Sequence, residues 1–248
     1  MITFHFITEF DLQLKNYLIK GIFKRAHDQG AFSIKTHLLR QFAVGKHAKI
    51  DDYPFSQKKG MLLRLDVLKK ALDSIADIES KLIIYCCPQG KLFSQEASKT
   101  LLLPQQDIVF ISGYYKGVDS RLFDLYPIKR MSIGNYILNS GDSAAIVMAE
   151  TLIRQLPGVL GTHDCINDDT FSSPFLEPSM YTHPVELSGQ IVPDVLRSGN
   201  HNVIKAFKFK DSIQKTLYNR LDLCKHHLFK DNEKDIVTEI LNKTVEQF

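Results

Sequence analysis

The sequence predicts an α/β fold with a mainly parallel sheet, followed by a smaller helical unit. Three near-continuous apolar segments, at 81–86, 107–112 and 127–133, each lead into a turn that contains glycine or proline. Apolar segments that alternate with helical ones are typical of strands buried on both faces of a parallel sheet. Because open α/β sheets bind ligands at the carboxyl ends of their strands, we expect a binding site at these three turns.

The N-terminal part supplies further elements of this fold. Residues 1–7 and 32–38 are predicted strands, and the apolar residues after the first strand follow a helical spacing. Residues 47–61 are polar and turn-rich, so we expect a loop there. A helix is predicted over 66–78, because its apolar residues repeat on one face.

The last helix of this part is predicted from 143 to about 156, with Asp142 as its cap and Pro157 and Gly158 at its end. These assignments predict a main domain at 1–160. Residues 161–184 are rich in proline, serine and aspartate, which favours a flexible linker. Residues 185–248 then form a basic, helical domain that is the better candidate for a polyanion-binding surface.

The composition narrows the class of protein. The chain has 248 residues, 44% hydrophobic content and a net charge of +3, typical of a globular protein and compatible with an RNA partner. Its four cysteines, Cys86, Cys87, Cys165 and Cys224, have neither metal-ligand nor disulfide-framework spacing. Neither a signal peptide nor a membrane span is predicted, so we expect a cytoplasmic protein.

Two kinds of side chain could carry chemistry. Arg154 lies late on the last helix, and Asp168 and Asp169 lie in the polar loop after it. Taken singly, each has an ordinary explanation, as a cation near a helix C-terminus or as a solvated acid. Neither a dinucleotide-binding glycine motif nor a P-loop is present.

Seven segments together resemble one family, the bacterial tRNA (guanine-N1)-methyltransferases, which modify the guanosine 3′ of the anticodon (position 37). The resemblance covers nearly the whole chain and keeps the family's order and spacing. Its segments are CPQG (87–90), GYYKGVDSR (113–121), SIGNYIL (132–138), RQLPGVLG (154–161), DDTF (168–171), MYTHP (180–184) and SGNH with Ile204 (198–204).

The resemblance implies a SPOUT-type fold with a deep trefoil knot and a homodimer with composite active sites. Residues 1–160 would form the knotted, S-adenosylmethionine-binding catalytic domain, and 185–248 would bind the anticodon stem-loop of tRNA. The linker would order over the target base. The family also suggests Mg²⁺ as a second requirement.

Thirteen residues are implied to bind S-adenosyl-L-methionine. They are Tyr85, Cys86, Pro88, Gln89, Gly113, Ser132, Ile133, Gly134, Asn135, Tyr136, Ile137, Leu138 and Gly141. Asp169 would accept the N1 proton of guanine, and Arg154 would stabilise charge on O6. The tRNA contacts would come from Lys58, Lys59, Lys116, Asn200, His201 and Lys208.

The chain departs from the family pattern mainly near the substrate. The loop Tyr-Gly-Gly-Gly-Pro-Gly-Met of the family is FSQKKGM at 55–61, and Gly-Arg-Tyr-Glu-Gly is GYYKG at 113–117. Lys116 cannot accept the guanine hydrogen bonds that a glutamate accepts. Ser140 and Ala144 replace a glycine and a proline of the family, and Asn135 and His183 replace an aspartate and an arginine.

Three functions stay open on the sequence. The first is an active methyltransferase with rearranged guanine recognition, in which the lysines contact phosphates. The second is a diverged relative that binds cofactor or RNA with lost or altered guanine methylation. The third, a phosphate-binding regulatory module, is supported only by the basic patches.

Overall fold

The computed structural model describes residues 1–55, 60–160, 170–171 and 173–245. The chain divides into two compact units, Met1–His163 and Asp164–Phe248. Within the described residues, no helix has both the length and the apolar character needed to cross a bilayer.

The first unit is built on a five-stranded sheet in which every neighbouring pair is parallel, as predicted. In chain order its strands are β1 (Ile2–Thr8), β2 (Phe32–Leu38), β5 (Leu82–Leu92), β6 (Ile108–Ser112) and β7 (Ile128–Ser132). The spatial order is β2-β1-β6-β5-β7. Two short strands, β3 (Asp51–Asp52) and β4 (Leu62–Leu63), pair within the region predicted as a loop and just after it.

Helices cover both faces of this sheet. They are α1 (Asp11–Leu18), α2 (Gly21–Asp28), α3 (Leu39–Phe42), α4 (Leu65–Asp73), α5 (Gln95–Leu101), α6 (Leu122–Leu125) and α7 (Asp142–Ile153), with a 3₁₀ turn at Ile78–Ser80. Phe4 and Phe6 of β1 pack in the core under α1, α2 and α7. Ile7 faces the other core, against α4. Both faces of β6, and nearly all of β1 and of the first half of β5, are buried, which explains why these segments are mainly apolar. The edge strands β2 and β7 are only partly buried.

Strand β5 runs further than the sequence predicts. The turn expected at 87–90 lies inside the strand, where the pairing with β7 shifts register between Cys86 and Lys91. Gly90 permits this shift, because a Cβ there would lie 2.3 Å from the backbone nitrogen of Met131. The expected turn is therefore an irregular stretch of strand.

The second unit is mainly helical. Its elements are β8 (Glu186–Leu187), β9 (Gln190–Ile191), α8 (Asp194–Arg197), α9 (His201–Asn219) and α10 (Asp231–Val245), with a 3₁₀ turn at Leu221–Cys224. Its core contains Phe175, Ile213, Cys224 and Ile240.

Part of the predicted linker packs on this second unit. The Phe175 side chain is 7% exposed, and the Leu176 backbone nitrogen donates to Thr216 Oγ1 at 2.8 Å. The Ser179 nitrogen donates to Asp211. By these contacts, the described residues 173–179 belong with the helices of the second unit.

Candidate functional site

A pocket of about 500 Å³ lies in the first unit, beside the register shift of β5 and at the carboxyl ends of β6 and β7. Three segments line it, at 85–89, 113–118 and 130–141, together with a few residues from neighbouring loops. This is the edge of a parallel sheet where ligands bind, and the volume lies within the range of small-molecule pockets, roughly 300–1,000 Å³.

Most residues predicted to bind the cofactor meet in this pocket, although they come from three separate segments. Of the thirteen, twelve line it: Tyr85, Cys86, Pro88, Gln89, Gly113, Ser132, Ile133, Gly134, Tyr136, Ile137, Leu138 and Gly141. Asn135, the thirteenth, is not among the lining residues, although both its neighbours are. Lys116, a predicted substrate contact, lines the same pocket.

Two of the loops approach each other closely at Gly113 and Gly141. The Gly141 nitrogen donates to the Gly113 oxygen at 2.6 Å. A Cβ at Gly141 would lie 2.5 Å from the Gly113 nitrogen and 3.1 Å from Ser112 Cα. Since these are backbone atoms that cannot rotate away, only glycine fits at Gly141.

A buried hydrogen-bond network lies beside this approach. The Tyr114 hydroxyl donates to Asp142 Oδ2 at 2.5 Å, and Thr8 Oγ1 donates to Asp142 Oδ1 at 2.8 Å. The Glu9 nitrogen donates to the Tyr114 hydroxyl at 2.9 Å. The network connects the end of β1, the loop after β6 and the start of α7.

This network corrects the predicted role of Asp142. The sequence predicts a helix cap, but Asp142 is itself the first residue of α7, and no side-chain cap bond forms at that end. Its carboxylate is 3% exposed and holds Tyr114 and Thr8 instead. Burial, together with the hydrogen bond to Asp142, raises the pKa of the Tyr114 phenol. The phenol therefore stays neutral and continues to donate.

The charged side chains that line the pocket are both cations. Lys116 passes over Gly60, where a Cβ would lie 2.5 Å from its Cδ and Cε atoms. The Arg130 guanidinium carbon lies 3.9 Å from the centroid of the Phe123 ring. Burial raises the pKa of the Cys86 and Cys87 thiols, so both remain neutral.

Sequence reasoning missed Arg130, Tyr114 and Asp142 as parts of this site. A cation in the strand sequence IKRMS resembles an ordinary solvated residue. Tyr114 lies in a glycine turn that the sequence did single out, yet its buried partners are 106 residues before it and 28 residues after it. Separations of that size leave no local pattern.

The remaining predicted site residues lie elsewhere. Arg154 follows α7, where its nitrogen donates to the Glu150 oxygen at 3.0 Å, and it is not among the residues that line the pocket. Four predicted residues lie outside the described residues: Lys58, Lys59, Asp168 and Asp169.

In the second unit, Asn200 and His201 lie at the start of α9. The Asn200 side chain accepts hydrogen bonds from the nitrogens of Asn202 and Val203, which is the geometry of a helix cap. Lys208 lines a separate cavity of about 450 Å³ within this unit. Arg197, His183 and Tyr181 also line that cavity.

No group of three or more metal-ligating side chains occurs in the described part of the chain. The Mg²⁺ requirement thus stays a prediction. Cys86, Cys87 and Cys224 are free thiols.

The chain is similar to known proteins over nearly its whole length. The sequence model of the family described as tRNA (Guanine-1)-methyltransferase TrmD matches residues 2–226. A tRNA (guanine-N(1)-)-methyltransferase of Staphylococcus carnosus (strain TM300) is 37% identical over 92% of this chain and 94% of its own. Proteins of the same name from Geobacillus kaustophilus (strain HTA426) and Clostridioides difficile (strain 630) are 36% and 35% identical. They are matched over 94% and 93% of this chain, and over 96% and 99% of their own lengths.

Proposed function

The chain belongs to the tRNA (guanine-1)-methyltransferase family, and from this membership we propose that it methylates N1 of guanosine in tRNA. The proposed target is the guanosine 3′ of the anticodon, and the methyl donor is S-adenosylmethionine. One observation carries the proposal to this chain: the pocket brings together twelve of the thirteen residues implied to bind the cofactor. Those residues come from three segments of the chain that are separated in sequence.

The lining of the pocket fits an adenosyl ligand. Apolar side chains, among them Ile133, Ile137 and Leu138, offer contact area for a base and a sugar. The backbone at Gly113 and Gly134 carries no side chain that would block the approach of a ligand. When bound there, S-adenosylmethionine would supply an electrophilic methyl group. The residues of this chain then hold the guanine and move its proton.

Asp169 is the proposed general base, which accepts the proton from guanine N1 as that nitrogen is methylated. Arg154 stabilises the negative charge that develops on O6. A positioned base contributes roughly 10²–10⁴-fold to a rate. A correct alignment of the reacting atoms contributes roughly 7–11 kcal/mol. Most of the acceleration is therefore expected from positioning.

We also propose the larger assembly of the family for this chain. It comprises a SPOUT-type domain with a trefoil knot and a homodimer with active sites shared between its copies. Since residues 173–179 pack on the second unit, the part of the predicted 161–184 linker that precedes them is the proposed cover of the target base. Residues 185–248 bind the anticodon stem-loop. The close backbone approach of Gly141 to Gly113 supports a tight crossing of loops in the first unit. The cytoplasm, where tRNA is modified, is the proposed location.

A second function competes with the first: binding of cofactor or RNA with lost or altered guanine methylation. The observation in its favour is that Lys116 lines the pocket at the position where the family carries a glutamate. A lysine only donates hydrogen bonds, so it cannot accept the N–H groups of guanine. Base recognition must then rest on other groups or be absent.

The test is methylation of unmodified tRNA transcripts, with the modified nucleoside identified by mass spectrometry. We expect N1-methylguanosine at position 37 with the parent protein. Asp169→Asn should lower the single-turnover rate by roughly 10²–10⁴-fold while cofactor affinity is retained. Asp168→Asn, which makes the same change one residue away, is the matched control and should stay within about threefold.

The outcomes separate the two functions. A parent protein that binds S-adenosylmethionine in calorimetry but forms no N1-methylguanosine supports the second function. An Asp169→Asn rate within tenfold of the parent rate would remove Asp169 as the base.

A further inference from the structure

The pocket carries positive charge that its own lining does not balance. Lys116 and Arg130 both line it, whereas its described lining contains no aspartate, glutamate or histidine. Other arginines of the same unit are paired, such as Arg64 with Asp66 and Arg121 with Asp119. Across the residues that the structure describes, neither Lys116 nor Arg130 has such an ion pair.

Three carboxylates are adjacent in sequence to the lining: Asp119, Asp124 and Asp142. Asp124 is exposed, and the other two already have partners. Asp119 Oδ2 accepts from Arg121 Nη2 at 2.6 Å. Asp142 accepts hydrogen bonds from Thr8 and Tyr114 and is buried. Neither is left to neutralise a cation that faces the pocket.

The two cations are held differently. The Arg130 guanidinium stacks on the Phe123 ring, 3.9 Å from its centroid, and Phe123 also lines the pocket. Stacking occupies the flat face of a guanidinium and leaves the N–H groups in its plane free for a bidentate contact with an oxyanion. The Lys116 stem lies over Gly60, and its backbone nitrogen donates to the Met61 oxygen at 3.0 Å.

We propose that Arg130, assisted by Lys116, forms an anion-binding subsite of this pocket. The anion is an oxyanion of the ligand, either a carboxylate or a phosphate. This inference rests on the proposed function, which supplies one source of each kind. The amino-acid end of the adenosyl cofactor carries a carboxylate, and the anticodon stem-loop carries phosphates.

Calorimetry with two ligands identifies the carboxylate. S-adenosylhomocysteine has the amino-acid end, whereas 5′-methylthioadenosine has the same adenosine and thioether sulfur without it. If the carboxylate binds here, Arg130→Gln should weaken S-adenosylhomocysteine about tenfold, as expected for a charge-assisted contact at an exposed side chain. Binding of 5′-methylthioadenosine should change by less than about twofold, and Arg130→Lys should restore part of the loss.

Lys129→Gln is the matched control. Lys129 is the preceding residue of β7, is exposed and is not among the lining residues. The Lys129→Gln substitution removes one positive charge, as Arg130→Gln does, but from the opposite face of the strand, because neighbouring residues of a strand point to opposite faces. We expect it to leave both affinities unchanged. Thermal melts of each variant verify that it is folded.

A second measurement tests the phosphate. Fluorescence anisotropy of a labelled anticodon stem-loop, with S-adenosylhomocysteine saturating, reports RNA binding. If Arg130→Gln weakens the RNA about tenfold and leaves both nucleosides unchanged, the anion is a phosphate. The proposed subsite is overturned if Arg130→Gln weakens the two nucleosides equally, or if it changes the affinity for none of the three ligands. If the parent protein binds neither nucleoside, the proposed function fails, and the RNA measurement, repeated without a nucleoside, still decides the subsite.

Discussion

Replacing Gly141 with alanine tests the close approach of the two pocket loops. The added Cβ would lie 2.5 Å from the Gly113 nitrogen, 3.1 Å from Ser112 Cα and 3.2 Å from the Ser112 carbonyl carbon. Favourable contacts between such atoms lie at about 3.5–4.0 Å, so the loops must separate by about 1 Å. Gly141 has φ −73°, a conformation that alanine adopts freely. The expected loss is therefore purely steric.

The size of the loss follows from the contacts that change. Overpacking costs about 1–3 kcal/mol in the free energy of unfolding. Separation of the loops also weakens the 2.6 Å hydrogen bond between Gly141 and Gly113, which contributes about 0.5–1.5 kcal/mol. We expect a total loss of about 2–4 kcal/mol. For a unit of this size, that loss lowers the melting temperature by about 5–15 °C.

The assay is thermal unfolding by calorimetry, combined with the affinity for S-adenosylhomocysteine. Gly158→Ala is the control, since Gly158 has no atom within 4 Å of an added Cβ but has a φ of +80°. It should lose only the roughly 1–2 kcal/mol of the left-handed conformation. Because the moved loops line the pocket, Gly141→Ala should also weaken the ligand more than tenfold, whereas Gly158→Ala should not. A Gly141→Ala protein with parental melting temperature and affinity would refute the close approach.

Three further variants test other parts of the structure. Tyr114→Phe removes a hydroxyl that Asp142 and the Glu9 nitrogen both use, and we expect a loss of about 1–3 kcal/mol in urea unfolding; a change below 0.5 kcal/mol would contradict the network. Burial, and then the nearby His37, lower the pKa of His5 from 6.5 to about 4. The unfolded chain thus binds more protons between pH 4 and 6.5, so stability is complete above that window and falls by about 1–3 kcal/mol as the pH decreases through it. In His5→Asn, urea midpoints at pH 7 and pH 5 should differ less than in the parent. Phe175→Ala should cost about 3–5 kcal/mol in the transition of the second unit, since Phe175 packs in that core; Phe171→Ala, at a half-exposed phenylalanine, is the control and should cost much less.

Local sequence patterns predicted the strands of the sheet closely. The segment predicted at 32–38 is strand β2 (Phe32–Leu38), and the predicted strands at 107–112 and 127–133 differ from β6 and β7 by one residue at one or both ends. Strand β6 is buried at every residue, so its apolar run marks its ends. The edge strands β2 and β7 are only partly buried and include polar residues. The prediction of a turn at 87–90 was wrong, because β5 continues through these residues. That continuation depends on the approach of Met131 from another strand.

The sequence by itself determined the fold class, the family and the glycine-containing loops after β6 and β7, because apolar periodicity and motif spacing are properties of the linear chain. Only the tertiary structure decided which side chains share the pocket. Arg130 faces it, Asn135 does not line it, and Asp142 turns inward to Tyr114 and Thr8. These outcomes depend on contacts between residues tens to more than a hundred positions apart. Such contacts decide whether a carboxylate is buried and whether a cation points into the pocket. The reason is that hydrogen-bond partners come together, and solvent is excluded, only once the strands lie side by side.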